Sequence, residues 1–233
     1  MAQSLMMKTK KAKTLRLQPE AVIQAALELL DAEGLENVTL RRLAAKLNVQ
    51  APALYWHFKD KTDITDDMAQ AILTNAKLDN FTSPTDINNW PTWLADLMHC
   101  LRNALIAHKD GGRVVAGATY GRAYTLEKIM VGVTRVLEKA GFDKLYAGLA
   151  AGTIIDYVWG FVIEEQAGIE PPQGVLRLKI GPPQDVQSVG TNSEDDEFLN
   201  AIMKEYHKLT PTQIFDWGLQ LIITGLKSAL KKP

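Results

Sequence analysis

One cysteine in 233 residues, Cys100, cannot close an intramolecular disulfide, so neither a stapled scaffold nor an oxidising compartment is implied. The first sixteen residues carry scattered lysines but no apolar run of signal-peptide length, which makes the cytoplasm the expectation. Also missing are a Gly-rich phosphate loop, a nucleophile elbow and the Cys/His spacing of a metal site. His99 and His108 stand nine apart, outside ligand spacing. Glu164 and Glu165 are adjacent, so they project to different faces and cannot work as a paired acid and base. No enzyme, cofactor or metal is expected.

Net charge is nearly absent as well, at −1, which argues against a chain that is a nucleic-acid binder throughout. The distribution says more than the sum. Residues 1–61 hold ten Lys and Arg against six Asp and Glu, or +4; the remainder holds 16 against 21, or −5. A basic head on an acidic body fits DNA contact confined to one end. The one long apolar run, Leu145 to Ile163, has Asp156 as its only charge and the length of a membrane span. It has no second span to pair with, and a charge at mid-span is costly in lipid. The expectation is a helix buried in the protein interior or a subunit interface, not a membrane segment.

What is present is helix after helix. Pro19 and Glu20 suit a helix start, and Val22, Ala25, Ala26, Leu29 and Leu30 then form one apolar stripe ended by Gly34. Thr39 suits the N-cap of a second helix with Leu40, Leu43, Ala44 and Leu47 on its stripe, and Asn48 suits a left-handed turn after it. A short third helix begins near Pro52 and buries Leu54 and Phe58. Three helices in so short a span, with a tight turn between the last two, is the helix-turn-helix plan. Longer helices follow: from Asp60 or Thr62 to about Lys77, Trp90 to His108, about Gly121 to Ala140, and from Asp143 to about Gln166. Residues 168–192, rich in Pro and Gly, read as a long loop, with a short strand around Leu176–Ile180 as an alternative. Helices over about Ser193–Lys208 and Pro211–Lys231 close an all-α chain. The domains expected are a basic arm over 1–17, a DNA-binding head over 18–63 and a larger body over 64–233.

The third helix is too short to exist for its core contribution alone. Its outward side offers Gln50, Pro52, Ala53, Tyr55 and His57, a compact surface able to enter a major groove, with small apolar groups for thymine methyls and polar tips for base edges. Arg41 and Lys61 flank it and suit a guanine or a phosphate. The competing reading is a plain helical bundle with Tyr55 and Trp56 plugged onto Phe58.

The run ALELLDAEGLENVTLRRLAAKLNVQAPALYWHFKDK, ending at Lys61, resembles the DNA-binding domain of the TetR family of repressors. ALIAHKDGGRVVAG (104–117), LEKAGF (137–142), VIEEQ (162–166) and GLQLIITGL (218–226) resemble the ligand-binding half of the tetracycline repressors. The resemblance implies a dimeric repressor released from a palindromic operator by a small molecule. An activator of the same fold, or a small-molecule binder without DNA activity, is the alternative. It makes Thr39, Tyr55 and Lys61 phosphate anchors and sets Arg41, Pro52, Ala53 and His57 at base edges. Ala51 and Ala53 stand where these repressors often have Gln and Thr, which implies a different operator. The segment Lys8 to Arg16 is either a minor-groove arm or a solvated tail.

For the effector, the resemblance carries Glu164 over to a chelate-binding glutamate. The position of the metal-binding histidine is Val115, which has no lone pair to offer. Leu97, Leu101 and Ala118 replace Asn, Phe and Thr, and Lys77 replaces another ligand-touching His. The expected effector is thus apolar or aromatic and free of metal, with Trp93, Met130 and Tyr157 as further candidates to line its cavity. The dimer is expected to form through the last helix and the Leu145–Ile163 helix, whose apolar residues exceed what one subunit buries.

Overall fold

The computed structural model describes residues 18–168 and 193–230. The arm and the 168–192 loop, with its alternative strand, lie outside the described residues, Gly168 excepted. Among those described, every regular element is helical. The order is α1 (Pro19–Glu33), α2 (Leu40–Lys46), α3 (Ala51–Tyr55), α4 (Lys61–Asn75), α5 (Trp90–Ile106), α6 (Gly111–Ala116), α7 (Tyr124–Lys139), α8 (Lys144–Gly168), α9 (Ser193–Tyr206) and α10 (Pro211–Leu230), with short 3-10 turns between some of them.

The local causes are those expected from the sequence. Pro19 occupies the first turn of α1, the stripe from Val22 to Leu30 is buried, and Gly34 leaves the helix at φ +87°. Thr39 caps α2 by accepting from Arg42 N at 3.3 Å. Asn48 takes φ +52° in the turn to α3. At α4 the cap is Asp60, which accepts from Thr62 N and Asp63 N.

One element goes beyond the sequence expectations. Residues 111–116 form α6, which opens on two glycines that by themselves signal only a turn. A Cβ on Gly111 would overlap Leu105 O, and one on Gly112 would stand 3.0 Å from Val162 of α8. Close seating against α5 and α8, rather than helix propensity, holds this short element.

The body is built around α8. Ala147, Ala151, Ile154, Ile155, Val158 and Val162 form its buried stripe, packed among α5, α6, α7 and α10. By length and composition α8 could cross a membrane, yet this stripe is core of the helical body. Its other side leaves Leu145, Tyr146 and Leu149 exposed.

Candidate DNA interface and effector site

Leu54 and Phe58 anchor α3 in the core, and Val49 N closes the preceding turn onto Ala44 O at 2.9 Å. With those two positions inward, Gln50, Pro52, Tyr55 and His57 are exposed and Ala53 is half-buried, on the outer side of the unit. Trp56 joins them at 87% exposed. It does not plug onto Phe58, so the plain-bundle reading of these aromatics loses its main support. Sequence reasoning passed over Trp56, because an indole beside a buried Phe suggests packing rather than display.

The cations around α3 are not equivalent. Arg42 is held by Glu33 and by Asn37 Oδ1, and Lys46 pairs with Glu28 at 3.0 Å. These bonds tie α2 back to α1 and neutralise both charges. Arg41 is exposed, and among the described residues no acceptor lies against its guanidinium. Its charge remains available to a phosphate or a guanine edge. Lys61 is half-buried and donates to Leu35 O at 2.9 Å.

Two ionic joints link this unit, and the helix α4 that continues from it, to the rest of the body. Asp31 accepts from Lys109 N at 3.1 Å and faces His108 Nδ1 at 3.0 Å, Leu35 N donates to Asp110 Oδ2 at 2.8 Å, and Arg113 reaches Glu36 at 2.7 Å. The hydrogen bond from Arg113 is the chief reason the Glu36 carboxyl sits below its ordinary range. On the other side, Arg122 faces Asp63, Asp66 and Asp67 of α4, and buried Asp66 also accepts from Thr119 N at 2.8 Å. Between the two joints lies α6 with Val115.

Of the candidate effector residues, Leu97, Leu101 and Val115 are fully buried in the core. Trp93, Ala118, Met130 and Tyr157 pack against it part-buried. The Trp93 indole donates to Thr82 O at 2.7 Å. The Tyr157 hydroxyl donates to Phe215 O at 2.8 Å, and burial, with Asp216 nearby, raises its pKa to about 12. Two candidates stand apart. Lys77 is exposed at φ +58°, heading a 3-10 turn, and Glu164 is exposed on α8. The buried carboxylate is its neighbour Glu165, which accepts from Arg102 at 3.0 and 2.5 Å. Among the described residues no three His, Cys, Asp or Glu side chains gather as a metal site.

An exposed helix-turn-helix with an uncommitted Arg41, joined through ionic contacts to a helical body with an apolar interior, defines a DNA-binding regulator. Comparison with known proteins agrees. Residues 22–68 match the family described as bacterial regulatory proteins, tetR family, and residues 83–230 match the tetracyclin repressor-like C-terminal domain. The tetracycline repressor protein class C of Escherichia coli is 38% identical over 212 residues, covering 91% of each chain. Among solved structures, TetR from Acinetobacter baumannii AYE is 28% identical with a TM-score of 0.65, covering 93% of this chain and 100% of that one, and a variant of it has been solved with minocycline. BioQ with its double-stranded DNA operator is 27% identical with a TM-score of 0.61, covering 91% and 99%. The chain belongs to the TetR family, and it is a ligand-responsive DNA-binding repressor.

Proposed function

We propose that a cytoplasmic homodimer of this chain holds a palindromic operator and is released by an apolar or aromatic effector that needs no divalent metal. The head is residues 18–63 and the body 64–233. Thr39 and Tyr55 anchor phosphates, while Arg41, Gln50, Pro52, Ala53 and His57 face base edges. The two heads stand about one helical turn of DNA apart, roughly 34–36 Å, as a palindrome requires. The effector meets Val115 of α6 and Ala118 just after it, α5 at Trp93, Leu97 and Leu101, and Met130 and Tyr157 beyond them. Pressure on α6 reaches the head through Arg113 on one side and Thr119 with Arg122 on the other, so effector and operator favour different arrangements of one two-state element.

The observation that carries the effector class is Val115, fully buried in the same apolar core as Leu97 and Leu101. An isopropyl group there offers a metal no lone pair. Glu164 alone would hold a hydrated cation weakly, because one carboxylate supplies too few ligands.

The test is a tryptophan-fluorescence titration with a set of apolar aromatic compounds and with tetracycline, each with magnesium and with excess chelator. Compounds that bind are then added to the protein on a duplex selected from a random pool. Chelator-insensitive binding that releases DNA is the expected result. Tight tetracycline binding abolished by chelator would overturn the effector assignment and leave the DNA assignment standing.

A further inference from the structure

A cleft of about 510 Å³ opens between α1 of the head and α4, with Tyr124 of α7 beside it. That is the size of a small-molecule site, roughly 300–1,000 Å³. None of the candidate effector residues lines it. Two helical faces build it. Glu20, Ile23 and Leu27 recur at i, i+3 and i+7 on α1, and Asp67, Gln70 and Ala71 at i, i+3 and i+4 on α4. Ile23 and Leu27 are buried and form an apolar floor with half-buried Ala71, while Tyr124 is exposed and offers its ring to the opening.

The walls are set before anything binds. Gln70 accepts from Thr125 N at 3.0 Å and donates to Thr125 Oγ1 at 2.8 Å and Thr74 Oγ1 at 2.7 Å. The Lys128 ammonium lies 5.2 Å from the centroid of the Tyr124 ring. At one end of the cleft Lys61, which opens α4, reaches Leu35 just past the end of α1, so the two helices run antiparallel along it. Asp67 therefore stands at the end of the cleft near Leu27, and Glu20 at the other. Seven residues of helix separate them, or roughly 10 Å at about 1.5 Å per residue. The local charge is negative. Arg122 faces three carboxylates, Asp63, Asp66 and Asp67, and with Glu20 against Lys128 the named groups count four negative and two positive, or −2.

We infer that this cleft is a second small-molecule site, taking an elongated dication with an apolar, flat body and an ammonium at each end. The body lies on Ile23, Leu27 and Ala71 against the Tyr124 ring. One ammonium donates to Glu20. The other donates to Asp67, whose Oδ1 meets Arg122 at 3.3 Å and whose Oδ2 is the oxygen turned to the ligand. Two carboxylates set about 10 Å apart select charge number and length together, which a single ion pair cannot do. The site is separate from the one proposed for the effector and stands without it. Its occupant ties α1 of the head to α4 and α7, and a molecule bound only by the folded chain raises its melting temperature.

The experiment is isothermal titration calorimetry on the full chain without DNA. The probe is naphthalene carrying one aminomethyl group at each end, compared with its single-aminomethyl relative and with the uncharged bis(hydroxymethyl) analogue. The dication is expected to bind once per chain and about tenfold more tightly than the monocation, with the diol weaker still, since each charged hydrogen bond carries about that factor or more. Glu20→Gln and Asp67→Asn are each expected to weaken the dication by about tenfold and to leave the diol unaffected. Glu20 is exposed, so Glu20→Gln should keep the wild-type melting temperature when unliganded, which separates lost binding from lost folding. A diol that binds as tightly as the dication, or a dication affinity unchanged in both variants, overturns the assignment. No heat of binding from the dication at millimolar concentration overturns it as well.

Discussion

The buried pair of Arg102 and Glu165 gives the sharpest prediction about stability. Arg102 is 4% exposed and so is Glu165, and two guanidinium nitrogens reach the two carboxylate oxygens at 3.0 and 2.5 Å. The guanidinium carbon lies 5.7 and 5.3 Å from the ring centroids of Phe161 and Phe215, and Nη1 reaches Thr212 Oγ1 at 3.4 Å. One cation thus links α5, α8 and α10. Glu165→Gln keeps the shape and removes the charge, leaving the guanidinium buried with a neutral partner. Breaking such a pair costs about 3–5 kcal/mol, because the remaining charge has lost its compensation. At about 2–4 °C per kcal/mol for a chain of this size, melting should fall by roughly 6–20 °C. The double change Arg102→Met with Glu165→Leu should recover most of that, since an apolar pair avoids both desolvation costs. The assay is thermal unfolding by circular dichroism at one protein concentration, because a dimer's midpoint depends on it. A loss below about 1 kcal/mol in Glu165→Gln, the range of exposed pairs, would refute the claim that this charge is desolvated.

Other predictions concern packing, charge and DNA. A Cβ on Gly218 would overlap the Tyr157 hydroxyl, so Gly218→Ala should displace that ring, break its bond to Phe215 O and lower the melting temperature; an unchanged midpoint would contradict it. Since its folded carboxyl lies below the ordinary value of 4.5, Glu36 supports the head–body joint above that value and loses this role as pH falls through the folded one. The melting difference between wild type and Glu36→Gln should be present at neutral pH and vanish in acid. Arg41→Ala should cost about 1–3 kcal/mol in DNA affinity and relax preference at one operator position, as selection from a random pool would reveal. An equal loss on every sequence would make Arg41 a phosphate contact instead.

Most helices were legible because their causes are local. Pro19, Gly34, Thr39, Asn48 and Asp60 punctuate the head, and each acts within a turn of itself. What escaped depends on partners distant in sequence. For α6, two glycines that look like a turn are the condition for close packing on Leu105 and Val162. The hydrogen bond that Lys61 donates reaches a backbone carbonyl 26 residues away, and backbone acceptors have no sequence signature. Glu165 escaped for a different reason, since its position does fall on a readable stripe. Val158, Val162 and Glu165 follow at helical spacing, and Glu164 stands one step off it, exposed. A carboxylate on an apolar stripe signals a buried partner, but Arg102 lies 63 residues away. Trp56 illustrates the converse: composition makes an indole look like core, whereas the short reach of α3 leaves it on display.

The unpartnered faces of α8 and α10 carry the last prediction. Leu145, Tyr146 and Leu149 on α8 are 58–66% exposed, and on α10 Trp217 is 70% and Leu221 54% exposed. A Cβ added at Gly148, Gly152 or Gly225 would meet nothing within 4 Å, so these helices have open sides where another helix can approach closely. Fully burying one such large side chain is worth roughly 1.5–3 kcal/mol, so pairing these faces across a two-fold axis supplies a substantial association energy. Leu221→Asp puts a carboxylate in the middle of that seam, at a cost of several kcal/mol if it stays charged and unpaired. Because Leu221 is exposed in the single chain, the change should leave the fold of one subunit intact and act on association. Light scattering at micromolar concentration should report a dimer for the wild type and a smaller species for Leu221→Asp, with the helical circular dichroism retained. Since one head alone reads only half a palindrome, the variant should also lose affinity for a two-half-site duplex far more than for a single half-site. A folded wild-type monomer under those conditions, or a Leu221→Asp dimer of undiminished affinity, would move the interface to another face of the molecule.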